Sequence, residues 1–365
     1  MAKAKSSEQA WRALEEEHLE PRAVDLKALS GLLEEDIERF ARSWPLLPPQ
    51  VRLSLVRSLV EVAEDDFEMD FSAVFRLVMG DEDAEIRALA IEGLHEDEDV
   101  RLVPRFAKCL QEDSAPTVRA AAARALGQFV LLGELGKIRP RPFEEAFGVL
   151  QACYRNSAEV LEVRRRSLES LAFSSLEVVS EAIAEAYLHP DESMRVSAVF
   201  AMGRSADKRW ADTVRGELHA LAPEMRYEAT RACGELQLRE AAPELVDMVK
   251  DGDAEVQEMA LWALGQVGGD LAMRTLRRYA RSKDEALQSA AQAALDEVEF
   301  FQGDLSTFFS PDIEQSHDTA WDTSTEADED DFDEEDSDDA WDDEDDGDDE
   351  DSSEDDEDGA EDPWD

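Results

Sequence analysis

Met194-Arg195-Val196-Ser197-Ala198-Val199-Phe200-Ala201-Met202-Gly203 is answered 31 residues later by Met225-Arg226-Tyr227-Glu228-Ala229-Thr230-Arg231-Ala232-Cys233-Gly234. The same interval leads on to Val256-Gln257-Glu258-Met259-Ala260-Leu261-Trp262-Ala263-Leu264-Gly265. Working outward, the unit recurs at Val163-Arg164 and Leu287-Gln288, and less regularly at Val51-Arg52, Ile86-Arg87 and Val118-Arg119. A fixed period of this size is the signature of stacked repeats. Within the ten-residue unit, position one is apolar, position two is usually Arg, and positions five and eight are small. At about 100° per residue, positions one, five, eight and nine share one helical face, which must be buried. Small residues on that face let neighbouring helices approach closely.

Each unit follows an amphipathic segment, for example 102–110, 143–154, 178–188 or 245–249. Turn chemistry separates the two, as in Asp81-Glu82-Asp83 and Asp251-Gly252-Asp253. Acids just before a helix stabilise its N-terminus. The pattern predicts a helix–turn–helix repeat that stacks into a superhelix.

Apolar-Arg-x-x-Ala-x-x-Ala-Leu-Gly after an Asp-rich turn resembles HEAT repeats, and within them the bacterial HEAT-like type named after phycobilin (PBS) lyases. The resemblance implies an all-α fold, a right-handed α-solenoid of about eight HEAT-like helix pairs, over residues 34–298. Residues 1–33 are expected to form an N-terminal helical cap. Residues 299–309, with Phe300-Phe301 and Phe308-Phe309, are expected to form an aromatic C-terminal cap and linker. Gln257 and Gln288 depart from the usual Arg. Repeats three and four stand 45 residues apart, which places an insertion near 132–142. Its basic, proline-rich stretch, Gly136-Lys137-Ile138-Arg139-Pro140-Arg141-Pro142, reads as a solvated loop or a partner contact.

Proteins resembling this pattern include chromophore lyases, hydroxylases and scaffolds. The hydroxylases bind iron through His-Glu pairs at positions three and four of the second helix. Those positions here hold Arg165-Arg166, Val196-Ser197, Tyr227-Glu228 and Glu258-Met259, and His95-Glu96 lies past the end of its unit. No metal site, no cofactor and no catalytic constellation is expected.

Charge divides the chain. Of 365 residues, 37 are basic and 90 acidic, for a net charge of −53. Residues 310–365 carry 22 Asp and 10 Glu with no Lys or Arg; those 32 acids leave 58 against 37 cations in residues 1–309. The segment 310–365 is expected to be a disordered acidic tail, because Asp is a poor helix former and the charges repel. Such a balance speaks against direct binding to nucleic acid or to an anionic membrane. Cys109, Cys153 and Cys233 are few and unclustered, and the first residues hold no apolar leader core, so a reduced cytoplasmic setting is expected.

Two features point to binding. Positions three and seven turn away from the buried face and should line the concave groove. From repeat four to seven they collect Arg165, Val196, Phe200, Tyr227, Arg231 and Trp262, the residue mix of interaction hot spots. The tail repeats a short motif around Trp321, Trp341 and Trp364, each indole flanked by acids and suited to a basic rim. Arg164, Arg166, Arg274, Arg277, Arg278 and Arg281 could dock such a tail. The sequence therefore reads as a non-enzymatic protein–protein interaction scaffold or adaptor. Its partner, expected to be a protein with a basic surface, sits in the groove, and the tail recruits it or competes for the groove. A lyase-type or accessory enzyme subunit is the alternative, and an acidic chaperone for basic nucleic-acid-binding proteins the second.

Overall fold

The computed structural model describes residues 26–66 and 68–308. These form sixteen α-helices and, among the described residues, no strand. They pair in eight consecutive hairpins: α1 (Glu34–Ser43) with α2 (Pro49–Asp65), α3 (Ser72–Val78) with α4 (Ala84–Glu92), α5 (Val103–Glu112) with α6 (Pro116–Glu134) and α7 (Pro140–Arg155) with α8 (Leu161–Leu171). The second half continues with α9 (Glu177–Tyr187) and α10 (Glu192–Arg204), then α11 (Ala211–Glu217) and α12 (Pro223–Glu235). It ends with α13 (Ala242–Met248) and α14 (Ala254–Val267), and α15 (Gly269–Tyr279) and α16 (Glu285–Phe308). The eight ten-residue units all begin on the even-numbered helices.

Burial follows the helical arithmetic. Leu55, Ala90, Ala122, Ser167, Ala198, Ala229, Ala260 and Ala291, all at position five, are solvent-excluded. Where position ten is Gly, the next second helix comes close. A Cβ on Gly203 would lie 2.8 Å from the Ala232 Cα, and one on Gly234 would lie 2.7 Å from the Trp262 Cζ3 and 3.0 Å from the Ala263 Cα. Successive second helices therefore pack closely against one another and form one face of the stack, its inner face.

The Arg at position two has a geometric reason. Its Nη1 reaches back to the turn before its own helix and takes the carbonyls six and five residues earlier. Arg87 bonds the Asp81 and Glu82 carbonyls, Arg119 those of Asp113 and Ser114, Arg195 those of His189 and Pro190, and Arg226 those of Ala220 and Leu221. Gln257 keeps this contact by donating Nε2 to the Asp251 carbonyl, and Gln288 donates to the Ala280 carbonyl. The remaining guanidinium edge can clip the following repeat. Arg87 grips Asp113 with two 2.8 Å bonds, Arg226 grips Asp251 with two 2.7 Å bonds, and Arg119 grips Glu159. Arg52 meets Asp81 at 2.7 Å, where the Trp44 indole also donates at 2.6 Å.

The insertion between repeats three and four is taken up by helix, not by a loop. α6 runs for 19 residues and α7 for 16. Pro140 opens α7, where a missing N–H costs nothing, so only residues 135–139 connect the two. Phe143 lies against Gly133, where a Cβ would approach its ring to 2.3 Å. At the other end α16 runs unbroken to Phe308, and Phe300 on it is 70% exposed. The expected N-terminal cap up to residue 25, Phe309 and the whole of 310–365 lie outside the described residues.

Candidate interaction groove

The inner face of repeats four to eight holds two adjoining clefts built from second helices and the turns that start them. The first, about 340 Å³, is lined by Arg165 and Arg166 of α8, Val196 and Phe200 of α10, and Tyr227 and Glu228 of α12. The second, about 530 Å³, lies between α12, α14 and α16 and is lined by Tyr227, Glu255, Glu258, Trp262, Ala293 and Glu297. Tyr227 and Glu255 belong to both. Five of the six residues expected to line the groove (Arg165, Val196, Phe200, Tyr227 and Trp262) are thus brought to these clefts, each half-buried.

Arg231 is placed differently. It is only 8% exposed and lies under Phe200, its guanidinium carbon 4.0 Å from the ring centroid and its Nη2 donating to the Phe200 carbonyl. Its other donors go to Glu228 at 2.7 Å and to Glu235. A planar cation between two carboxylates and an aromatic face fixes Phe200 from beneath instead of meeting a partner.

A charge network joins the second helices here. Arg166 bonds Glu162 and Glu169 at 2.8 Å each, Glu169 accepts the Ser197 hydroxyl at 2.6 Å, and Ser197 accepts Arg165 Nε at 2.8 Å. Arg204 meets Glu235 at 3.3 Å and lies over the Phe173 and Phe200 rings. Burial pushes the Glu228 carboxyl above the usual carboxylate range despite Arg231. The network was partly legible: Glu162/Arg166 and Arg231/Glu235 are i,i+4 pairs, and Arg166/Glu169 and Glu228/Arg231 are i,i+3 pairs. What pattern alone did not reveal is that Glu169, at an outward position, is itself buried.

The cations expected to dock a tail fall into two groups. Arg164 is half-buried, donating to the Tyr154 carbonyl, and Arg166 is held in the network just described. Arg274, Arg277, Arg278 and Arg281 are exposed on α15 and the turn after it. The tail motifs at Trp321, Trp341 and Trp364 lie outside the described residues. A further cleft of about 670 Å³ near the other end is lined by Met69, Phe71, Phe75, Ile91, His95 and Arg124. Nothing in the repeat pattern announces it.

Among the described residues no group of three His, Cys, Asp or Glu side chains has the geometry to hold a metal ion, and no helix is long and apolar enough to cross a membrane. Burial raises all three thiols, Cys233 to about 12, so none is a poised thiolate.

Eight stacked hairpins with a continuous inner face define an α-solenoid of the interaction-repeat class. The chain belongs to the HEAT repeat family, which it matches over residues 48–127, 71–172 and 212–296. No curated protein matches it in sequence. Among solved structures it is similar to the complex of CpcE and CpcF of phycocyanin lyase from Nostoc sp. PCC7120, at 17% identity over 62% of this chain and 87% of that one, with a TM-score of 0.44. It is also similar to human deoxyhypusine hydroxylase in complex with glycerol, at 18% identity over 73% of this chain and 97% of that one, TM-score 0.32. A designed armadillo repeat protein matches at 18% identity over 54% of this chain and 99% of that one, TM-score 0.34.

Proposed function

We propose that this protein is a non-enzymatic interaction adaptor that holds an extended segment of a partner protein along the inner face of repeats four to eight. The observation that carries the reading is the shared wall. Phe200, Tyr227 and Trp262 come from three successive second helices yet line two clefts that meet at Tyr227. Partly exposed aromatics on a rigid, preformed surface bind at low entropic cost. The helices beneath them are locked by buried ion pairs, so the surface does not have to be ordered on binding. Three unpaired cysteines fit a reduced, cytoplasmic location. The acidic segment 310–365, with its three tryptophans, adds long-range attraction for a basic partner and raises its local concentration at the groove.

The test uses the full chain as bait. Phe200→Ala combined with Trp262→Ala should abolish capture of the partner while leaving the far-ultraviolet circular dichroism unchanged. Capture that survives the double substitution overturns the groove. Ending the chain at residue 309 should weaken capture at low salt and matter little at high salt, because the contribution of exposed charges is screened.

A further inference from the structure

Resting on the groove reading and sharpening it, we infer that the cleft between α12, α14 and α16 receives the cationic side chain of a lysine- or arginine-bearing segment of the partner. The two clefts differ in charge compensation. The first is lined by Arg165 and Arg166 alongside its acids, and two of those acids, Glu169 and Glu228, are paired with Arg166 and Arg231. In the second, the acids are Glu255, Glu258 and Glu297, and among the described residues no cation lines the cleft. Glu255 and Glu258 have no cationic partner among the described residues, and Glu297 accepts a hydrogen bond from the neutral Gln266 amide at 3.0 Å. Three acids around one opening leave a negative potential that an incoming cation neutralises and an anion cannot approach.

Shape supports the same occupant. Position seven carries Arg, Glu, Phe or Trp in the first seven repeats but Ala293 in the eighth, so no long side chain fills the space opposite Trp262. The indole itself is seated on Gly234, the one residue type that leaves room for it there. Tyr227 and Trp262 thus stand as aromatic walls with carboxylates at the rim. Ring faces attract cations electrostatically, and carboxylates accept their N–H donors. Burial, with Glu228, Glu255 and Glu258 nearby, also raises the Tyr227 hydroxyl above its ordinary range, so it stays a neutral phenol. The cleft opens through Tyr227 and Glu255 onto the Phe200 cleft, so a chain lying along the groove would place one long basic side chain here.

The full-length chain labelled with 5-fluorotryptophan provides the test, with the Trp262 fluorine resonance assigned by Trp262→Phe. The probe is a blocked Gly-Lys repeat peptide, compared with the same peptide carrying Glu or norleucine in place of Lys. The lysine peptide should shift the Trp262 resonance saturably, the other two should not, and Glu255→Gln with Glu258→Gln should weaken the midpoint about fivefold to tenfold. A Trp262 resonance that stays still while those of Trp321, Trp341 and Trp364 move would place the affinity for cations in the tail alone and overturn the inference. A norleucine peptide as effective as lysine would overturn it too, by making the cleft merely apolar. Partner capture lost in the Phe200/Trp262 double variant but intact in the Glu255/Glu258 variant would leave the groove standing and remove the cation pocket.

Discussion

The mostly buried joints of repeats one to four and of repeats six and seven lie on the turn side, whereas those of repeats four to six lie on the groove side; the groove-side pairs Arg57–Glu85 and Arg124–Glu92 are exposed. The turn-side clip needs an arginine at position two and an acid in the next repeat's turn, as in Arg52 with Asp81, Arg87 with Asp113 and Arg226 with Asp251. Six residues before position two, repeats five and six have His189 and Ala220 where an acid would stand. Arg164 and Arg195 accordingly hold only backbone carbonyls across the turns. The lost cross-links are replaced on the inner face by the Arg166–Glu169–Ser197–Arg165 chain between repeats four and five, and by Arg231 on the Phe200 carbonyl and Arg204 on Glu235 between repeats five and six. A repeat stack can be joined along either edge. Where the joint moves to the inner edge, charged groups are used up in the groove floor and the aromatics above them are held rigid.

The largest effect should come from breaking the groove-side joint. Arg231→Leu strands the mostly buried Glu228 carboxylate, takes from Glu235 one of its two arginines and removes the support under Phe200, at a cost of about 3–5 kcal/mol, read as a drop in the urea midpoint of helicity. The pH dependence gives the mechanism. Glu228 already titrates above its unfolded value, so its contribution favours the folded state at low pH and is lost as pH rises through the raised value. Without Arg231 that slope steepens, and the variant should recover part of its stability as pH falls through the raised Glu228 value. A loss that is independent of pH would mean that packing under Phe200, not charge, holds this joint.

Turn-side joints should be weaker and respond to acid with the opposite sign. Arg226→Gln keeps the carbonyl contact, as Gln257 does one repeat later, and removes only the paired bonds to Asp251. The expected loss is about 1.5–3 kcal/mol. The Arg226 hydrogen bonds, with smaller help from the Asp253 and Gly252 amides, hold the Asp251 carboxyl below the ordinary carboxylate range. Its stabilisation is therefore present above about pH 4 and disappears as pH falls through the depressed value. The variant should lose this acid-side slope. Arg195→Gln, which releases no acid of the next repeat and only a loose 3.9 Å pair with the exposed Glu192 of its own helix, should leave the slope unchanged, and if the two variants behave alike the distinction between joints fails.

The period of 31, the small residues on the buried face and the acidic turns made the solenoid readable down to which helix of each pair carries the unit. The groove stripe was readable as a direction, because positions three and seven are fixed by helical geometry. Depth was not. Arg231 and Trp262 share position seven, yet one is buried and the other lines a cleft. The difference is made by Glu228 and Glu235 on the same helix and by the residue opposite on the next, Trp262 for one and Ala293 for the other. The 14-residue insertion was misleading for a related reason: its prolines suggested loop, but Pro140 sits where a helix begins, and the extra length extended α6 and α7.

The smallest expected effect is also the most direct check on the turn-side rule. Asp81, Asp113 and Asp251 each do two things. They accept the backbone N–H two residues on, from Asp83, Ala115 and Asp253, at 2.9 Å in each case, and they receive the preceding repeat's arginine. His189 does the first with Nδ1, accepting from Asp191 at 3.1 Å, but brings no negative charge, and Ala220 does neither. Ala220→Asp should restore both in repeat six, capturing the Ala222 N–H and drawing the Arg195 guanidinium away from its loose contact with Glu192. The gain is about 0.5–1 kcal/mol. Ala220→Asn should provide the turn bond without the charge, so the difference between the two variants isolates the ion pair, and that difference should shrink as salt rises. If Ala220→Asn stabilises as much as Ala220→Asp at low salt, the acid in these turns serves the turn itself, and the arginine at position two is there only for the carbonyls of its own hairpin.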